Sequence, residues 1–239
     1  MLYWAVKLVL TPILRVCYRI KVEGKENVPR TGPVILASNH RSFLDSIFIP
    51  LMVPRRVTFV AKAEYFDDPK TAWFFRGIGQ IPIRREGGSA SQRALDSAMG
   101  VLNGGGVFAI YPEGTRTRDG KLHRGHTGVA RLALQSGAPV IPIGMIGTDE
   151  IQPVDAKLPR PFKKVTIRFG APLDISHYEG RTDDRLALRG ITDELMYEIG
   201  QLCGYEYSDT YATKKAEDVP AEVARIAVVE PVDAVERAS

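Results

Sequence analysis

Short apolar runs alternate with amphipathic stretches along most of this 239-residue chain. Runs rich in β-branched residues, bounded by Gly, Pro or charged positions, predict strands at 20–23, 33–38, 57–61, 80–83, 107–111, 140–147 and 165–169. Apolar positions at helical spacing predict helices that include 89–103, 127–136 and 182–202. Because alternating strands and helices are typical of α/β proteins, we expect a mixed, largely central β-sheet flanked by helices.

The first twenty residues have the pattern of an amphipathic helix. Their charges argue against a bilayer span, and the segment lacks the small-residue cleavage site of a signal peptide. We therefore expect residues 1–20 to be a membrane-association helix lying in the interface. The alternative is a helix that covers the protein's own core. The apolar face and the opposite stripe are, respectively, Leu2, Val6, Val9, Ile13, Val16, Cys17 and Ile20, and Lys7, Thr11, Arg15 and Arg19.

Residues 21–211 are expected to form one folded domain, followed by an acidic, mobile tail at 212–239. Residues 204–239 contain four Lys or Arg and eight Asp or Glu, so the preceding residues carry a formal net charge of +8. A basic body suits an anionic partner. The chain has no basic block interleaved with aromatics, which favours an anionic membrane or a phosphorylated substrate over a nucleic acid. Cys17 and Cys203 have neither disulfide-framework nor metal-site spacing, so no metal is expected.

Four short motifs lie at or just after predicted strands, where α/β folds usually bind ligands. They are "NHRSFLD" at 39–45, "GQIPIRR" at 79–85, "YPEGTRTRDG" at 111–120 and "VIPIGM" at 140–145. We expect them to form one site.

His40 is the candidate general base of this site, with Asp45 as the carboxylate that accepts its second ring proton. Five residues of continuous helix would rotate these side chains apart, so His40 must precede the helix and Asp45 must lie in its first turn. The alternative is that this motif has a structural role, because Ser42 and Asp45 also have the spacing of a helix capping box.

Three arginines offer planar, permanently charged groups suited to a phosphate monoester: Arg84, Arg85 and Arg116. Gly114 allows close approach of the backbone. Glu113 could hold an arginine or accept a substrate hydroxyl, and its alternative role is a solvated ion pair. Arg84 either binds phosphate or faces solvent.

The chain lacks the GxSxG, GxxxxGK and GxGxxG signatures of serine hydrolases, phosphate loops and dinucleotide sites. A general base without a positioned nucleophile implies that the hydroxyl of the substrate attacks directly.

In their order and content, the four motifs resemble those of the 1-acylglycerol-3-phosphate acyltransferases and their glycerolipid relatives, over roughly residues 20–170. The resemblance implies a glycerolipid acyltransferase-like fold and a catalytic dyad at His40 and Asp45. It assigns acceptor binding to the second and third motifs and to a lysine often present near them. Pro142 matches the fourth motif, which is expected to pack near the acyl channel. The substrate-binding residues that the resemblance implies are Lys62, Arg85, Glu113, Gly114 and Arg116, and we expect Arg84 and Thr115, within the same two motifs, to belong to the same site.

This chain departs from the family pattern in its second motif. Arg84 stands where the family often has aspartate, and Pro82 replaces a residue that is commonly aromatic. The first change alters the local charge where the acceptor is expected to bind.

The resemblance implies transfer of a fatty acyl group from acyl-CoA or acyl carrier protein to the free hydroxyl of a lysophosphatidate, giving phosphatidate. Such an enzyme would need no cofactor beyond the thioester co-substrate. It would be peripheral at the cytoplasmic face of the cell membrane. A backbone N–H is expected to stabilise the oxyanion. The alternatives are acylation of glycerol 3-phosphate or of a glycolipid hydroxyl, a lipid hydrolase, and a non-catalytic lipid-binding module.

Overall fold

The computed structural model describes residues 1–84, 90–156 and 158–213. The helices are α1 (Leu2–Cys17), α2 (Asp45–Met52), α3 (Glu64–Asp67), α4 (Pro69–Ile78), α5 (Ala90–Asn103), α6 (Gly128–Ser136), α7 (Thr148–Ile151) and α8 (Arg185–Cys203). The strands are β1 (Arg19–Glu23), β2 (Val34–Ser38), β3 (Val57–Thr58), β4 (Val60–Lys62), β5 (Ile81–Ile83), β6 (Val107–Ile110), β7 (Leu122–His123), β8 (Val140–Ile146), β9 (Lys164–Phe169) and β10 (Tyr207–Ser208).

Six strands form the central sheet in the order β1-β9-β8-β2-β6-β3. β8, β2, β6 and β3 are parallel, β9 is antiparallel to β8, and β1 is parallel to β9. The carboxyl ends of the four parallel strands therefore lie at the same edge as the amino ends of β9 and β1. We call this edge the motif edge, because the motifs at 39–45 and 111–120 begin there, after β2 and β6.

Helices cover both faces of the sheet, which is why all five residues of β2 are buried. Side chains of alternate strand positions point to opposite faces. α1 and α2 pack on one face around Phe48 and Ile141. α5, α6 and α8 pack on the other around Phe108 and Leu132. The predicted α/β fold, with a central sheet flanked by helices, is confirmed.

All seven predicted strands are present, and six of them have ends within one residue of the prediction. The run at 57–61 divides at Phe59, whose N–H donates to the side-chain oxygen of Gln80 at 2.8 Å. β3 stays in the central sheet, while β4 leaves it and pairs in parallel with β5. The predicted helices are α5, α6 and α8, and the predicted N-terminal helix is α1.

Lys7, predicted on the polar stripe opposite the apolar face of α1, lies on the side of the helix that packs against α2. Its ammonium group donates to the carbonyl oxygen of Pro50 at 2.7 Å and also to that of Val53, at the carboxyl end of α2. Carbonyl groups at a helix end lack intrahelical partners and carry partial negative charge, so they attract a cation. Burial lowers the pKa of Lys7 to about 8.

α1 has apolar side chains on both of its sides. Tyr3 is buried, and Leu10 and Leu14 pack against the core, as the structural alternative expected. An outer apolar stripe faces away from the core and consists of Trp4, Leu8, Val9, Ile13 and Val16. Within the described residues, no helix is both long enough and apolar enough to cross a membrane. The predicted tail lies outside the described residues from position 214 onward.

Candidate active site

Asn39 fixes the chain where β2 ends. Its side-chain amide donates to the carbonyl of Met145 at 2.9 Å and accepts from the N–H of the same residue at 2.8 Å. The buried amide thus replaces a backbone pair between β2 and β8. His40, the next residue, leaves the sheet from a fixed point on the motif edge.

The structure brings His40 and Asp45 together as predicted, with Asp45 as the first residue of α2. The Nδ1 atom of His40 lies 3.0 Å from Oδ2 of Asp45. The same oxygen accepts from the backbone N–H groups of Arg41 at 2.8 Å and Ser42 at 2.9 Å. The carboxylate therefore holds both the imidazole and the turn that carries it.

The predicted capping box is formed with one changed partner. Asp45 reaches back to the N–H of Ser42 at 2.9 Å, and the hydroxyl of Ser42 accepts from the N–H of Leu44, just before α2, at 3.3 Å. The same hydroxyl donates to the carbonyl of Gln152 at 2.9 Å. The structural and the chemical interpretations of Asp45 are thus both met by one buried carboxylate.

Bonding of Nδ1 to Asp45 defines the chemistry open to His40. A carboxylate accepts a proton, so Nδ1 is the protonated nitrogen of the neutral ring, and Nε2 is the nitrogen that can take a proton from another molecule. The imidazole is only 16% exposed and the Asp45 side chain is fully buried. Little solvent therefore screens the attraction that would stabilise an imidazolium here.

Tyr111 supports the imidazole from one side. The ring planes of His40 and Tyr111 differ by 7° and their centroids are 3.8 Å apart. The Tyr111 hydroxyl lies 2.9 Å from that of Ser46, and Phe59 stacks on the same tyrosine ring with the centroids 5.5 Å apart. Burial and the charge of Asp45 raise the pKa of Tyr111 well above its usual value. The stack and the Asp45 bond together define the plane of the His40 ring.

The Glu113 carboxylate is buried against the backbone of His40 and is not exposed to an open pocket. One carboxylate oxygen accepts from the backbone N–H of His40 at 3.0 Å, and the other accepts from that of His123 at 2.8 Å. The residue is 1% exposed, and burial raises its pKa to about 7 although both hydrogen bonds oppose the shift. Both oxygens of this buried carboxylate thus accept from backbone N–H groups, and direct substrate contact by Glu113 stays a prediction.

The rest of the third motif turns directly after Glu113. Gly114 has a φ of 73°, and a Cβ there would lie 3.1 Å from the ring of His126, so glycine is favoured on both counts. Thr115 and Arg116 are half-buried. Arg116 has a long hydrogen bond to the carbonyl of Val154 at 3.4 Å, and within the described part of the chain it has no carboxylate partner. Its positive charge is therefore available to an anion.

Lys62 and Arg84 lie beyond the carboxyl end of β3, on or just after the strands of the small β4–β5 sheet. The Arg84 side chain is 68% exposed and pairs with Asp67 at 3.2 Å. Arg84, Arg76 and Arg93 line a cleft of about 690 Å³. His40 and Asp45 are not among the residues that line this cleft. Arg85, predicted to bind the acceptor, lies outside the described residues.

Arg41 is a buried part of the site that the sequence analysis did not identify. Its guanidinium donates to the carbonyl of Gly120, pairs with Asp149 and lies 4.2 Å from the ring centroid of Tyr205. Burial raises the pKa of Tyr205 to about 12. Arg41, which follows His40 in the sequence, thus connects the first motif to the third-motif loop and to the chain that follows α8.

The described part of the chain contains no cluster of potential metal ligands. Across residues 1–84, 90–156 and 158–213, no three His, Cys, Asp or Glu side chains lie together as they would around a metal ion. Cys17 and Cys203 pack with the clusters on opposite faces of the sheet.

Comparison with known proteins identifies the family of these motifs. Residues 19–146, more than half of the chain, match the Acyltransferase family. A chloroplastic 1-acyl-sn-glycerol-3-phosphate acyltransferase of Arabidopsis thaliana is 33% identical over 141 residues, which are 59% of this chain and 39% of that protein. The 1-acyl-sn-glycerol-3-phosphate acyltransferase of Bacillus subtilis is 28% identical over 188 residues, which are 77% of this chain and 87% of that protein.

The fold is also similar to a solved structure. The crystal structure of the 1-acyl-sn-glycerophosphate acyltransferase PlsC from Thermotoga maritima superposes with a TM-score of 0.65 and 26% sequence identity, over 84% of this chain and 78% of that one. The chain spans only about two fifths of the length of the plant and algal relatives that it matches.

Proposed function

The chain belongs to the acyltransferase family, and from this premise we propose that it transfers a fatty acyl group from a thioester to the free hydroxyl of a 1-acylglycerol 3-phosphate, giving phosphatidate. The observation that carries the proposal is the 3.0 Å contact between Nδ1 of His40 and the buried carboxylate of Asp45. The printed names of the relatives support the choice of acceptor.

In this reaction Nε2 of His40 takes the proton of the acceptor hydroxyl as its oxygen attacks the thioester carbonyl carbon. Asp45 stabilises the imidazolium that forms. The tetrahedral intermediate then collapses, the carbon–sulfur bond breaks, and the imidazolium returns the proton to the departing thiolate. No acyl-enzyme is formed, because the acceptor oxygen is itself the nucleophile.

Arg116 is proposed to bind the phosphate of the acceptor, with Arg85 as a second cation and Gly114 and Thr115 shaping the turn. The guanidinium of Arg116 is half-buried and has no carboxylate partner among the described residues, which supports this role. Lys62 and Arg84 are proposed to extend the basic surface toward the small sheet. The ion pair of Arg84 with Asp67 offsets the charge that the unusual arginine adds at this position.

Glu113 and Tyr111 are proposed as positioning residues. Glu113 holds the backbone N–H of His40, and Tyr111 stacks on its ring, so both act on the substrate through the general base. The acyl donor is proposed to be acyl-CoA or acyl carrier protein, used as a co-substrate without a further cofactor.

The outer apolar stripe of α1 is proposed to lie in the interface of the cell membrane, which makes the protein peripheral and monotopic at the cytoplasmic face. Leu8 and Val16 are 77% and 79% exposed, and the exposed cations Arg15 and Arg19 lie at the carboxyl end of the helix or just after it. Each cation near an anionic surface contributes about 1 kcal/mol. The inner side of α1 packs on the core, so substitutions on the outer stripe test this role better than deletion of the helix.

Thiol release by the purified protein across an acceptor panel tests the activity. Release from acyl-CoA only with 1-acylglycerol 3-phosphate is expected. Release with glycerol 3-phosphate or a glycolipid instead would change the acceptor, release without any acceptor would identify a hydrolase, and no release would favour a lipid-binding module.

His40→Ala tests the mechanism. Turnover should fall by roughly 10² to 10⁴ with acceptor binding nearly intact, because only proton transfer is lost. His177→Ala is the matched control, since His177 is an exposed histidine that pairs with Glu194 away from the motif edge. Near-normal turnover of His40→Ala would exclude the general base.

A further inference from the structure

Residues 158–163 form an exposed loop that ends at Lys164, the first residue of β9, and this segment carries large apolar side chains among cations. Leu158 is 80% exposed and Phe162 is 71% exposed. The cations Arg160, Lys163 and Lys164 are also exposed, and the segment contains no acidic residue. A surface with two exposed large apolar side chains and three cations has the composition typical of one that binds an anionic interface.

The position of this loop follows from the sheet topology. It leads into β9, which is antiparallel to β8, so the loop lies at the motif edge. The N–H of Phe162 donates to the carbonyl of Cys17 at 2.7 Å, and the N–H of Arg19 donates to that of Lys163 at 3.0 Å. The loop therefore adjoins the carboxyl end of α1, where Val16 of the outer stripe is exposed.

The chain just before the loop contacts the catalytic motifs. The hydroxyl of Ser42 donates to the carbonyl of Gln152 at 2.9 Å, and Arg116 donates to that of Val154 at 3.4 Å. Asp155 pairs with Arg118 at 2.9 Å. One segment thus runs from the first and third motifs to the apolar loop.

Phe162 has a backbone conformation that bulky residues rarely adopt. Its φ is 63°, and in the part of the chain that the structure describes it is the one non-glycine residue with positive φ. Such a conformation costs free energy, and an exposed phenyl ring recovers none of it from packing within this chain. Such strain is typical of functional residues, and the exposed ring of Phe162 is placed to contact another molecule.

We propose that residues 158–164 are a second membrane contact, in which Leu158 and Phe162 enter the interface of an anionic bilayer while Arg160, Lys163 and Lys164 meet its headgroups. This inference deepens the proposed function and rests on it, since the contact would hold the motif edge against the membrane that contains the acceptor.

A bilayer fits this surface better than a protein partner such as an acidic acyl carrier protein. The loop adjoins the outer stripe of α1, which adds five exposed apolar side chains to the same surface. A protein partner recognised mainly by charge would not need so large an apolar area, whereas interfacial binding grows with the apolar area that is buried.

Sedimentation of the full chain with vesicles of phosphatidylcholine and phosphatidylglycerol in equal parts tests the contact. Phe162→Gly should lower the partition coefficient roughly tenfold, because a large apolar side chain is lost from the interface. Glycine adopts positive φ without strain, so the melting temperature should be unchanged or higher. Leu158→Ser should weaken binding in the same way.

Leu186→Ser is the matched control, because Leu186 is also 80% exposed but lies on α8, on the other face of the sheet. It should bind vesicles as the wild type does. Arg160→Gln with Lys163→Gln should weaken binding by roughly fivefold per charge at low salt and less at high salt. The control for charge is the exposed Arg185→Gln.

Activity separates this inference from the proposed function. Phe162→Gly should lose transfer to vesicle-embedded 1-acylglycerol 3-phosphate and keep transfer to a short-chain, water-soluble form. If the wild type acylates neither form, the proposed function is wrong, and vesicle partition still tests the loop. Unchanged partition of both Phe162→Gly and Leu158→Ser would overturn the membrane contact. Unchanged partition with impaired use of acyl carrier protein, but not of acyl-CoA, would assign the loop to a protein partner instead.

Discussion

Replacing Asp45 by Asn separates the two tasks of this carboxylate, because the amide keeps its shape and loses its charge. Oδ2 accepts from the ring of His40 and from the N–H groups of Arg41 and Ser42, at 3.0, 2.8 and 2.9 Å. The amide oxygen can take this place and preserve the turn. The amide nitrogen then replaces Oδ1, which is buried and has no hydrogen-bond partner within residues 1–84, 90–156 and 158–213.

The expected loss of stability is small. Each of the three hydrogen bonds weakens by about 0.5–1 kcal/mol when its acceptor becomes neutral, and relief from burying a charge offsets part of this. We expect a net loss of about 2 kcal/mol in the free energy of unfolding, which corresponds to a melting temperature lower by roughly 4–8 °C.

The expected loss of turnover is much larger. A carboxylate about 3–4 Å from an imidazolium contributes on the order of 4 kcal/mol at an effective dielectric constant of about 20. Losing it should lower kcat by roughly 10³. The Michaelis constants of both substrates should change little, since the phosphate-binding groups are untouched.

Steady-state kinetics below the melting temperature, with thermal unfolding of the same samples, checks both numbers. Leu132→Ala is the control for stability, because it removes a fully buried side chain on the face of the sheet opposite α2. It should cost about 2–5 kcal/mol and leave kcat unchanged. A kcat for Asp45→Asn within threefold of the wild type would refute the dyad and leave only the structural role of Asp45.

Three further predictions concern charge. Arg116→Ala should raise the Michaelis constant of the acceptor more than that of the donor, and Arg116→Lys should restore it only in part, since an ammonium cannot bind phosphate bidentately; a defect selective for the donor would contradict the assignment. The pKa of Glu113 is raised to about 7, so the folded state holds this proton more tightly than the unfolded chain, and stability should fall as pH rises from about 4.5 to 7. In urea titrations across this range, Glu113→Gln should flatten the slope, and an unchanged slope would place the raised pKa elsewhere. Lys7→Met should lower the free energy of unfolding by about 1–2 kcal/mol, because two carbonyls at the end of α2 lose their donor; an unchanged unfolding midpoint would show that water replaces the ammonium.

Local patterns were sufficient for the strands, most helices and the dyad, because each depends on neighbours in sequence. The five-residue spacing of His40 and Asp45 gives their contact once a turn separates them. The predicted helices do not include α4, although the sequence contains its start and stop signals. Asp68 caps the first turn, Pro69 is the first residue, and Gly79 ends the helix with positive φ.

Contacts between distant segments could not be predicted in this way. Periodicity shows which residues of α1 share a face, but Lys7 turns inward because of carbonyl groups more than forty positions away. Tyr205 reaches Arg41 across 164 positions of sequence, and neither residue type in its local context indicates the other. The family resemblance links Glu113 to the acceptor, and that contact stays a prediction, but the hydrogen bonds of its carboxylate to the backbone of His40 and His123 could not be read from the sequence.

The one antiparallel pair of the central sheet has a consequence for a lipid substrate. Because β9 reverses direction relative to β8, the loop before β9 and the carboxyl end of α1 reach the edge that carries His40. Had β9 and β1 been parallel to β8, both would lie at the opposite edge. A bilayer touching that loop and the carboxyl end of α1 would then be separated from the dyad by the length of the strands, roughly 20 Å for six residues. The proposed acceptor, anchored by its acyl chain, would then have to leave the membrane to react. In the observed topology the proposed membrane contacts and His40 share one edge of the sheet, which is the arrangement that transfer to a bilayer-embedded acceptor requires.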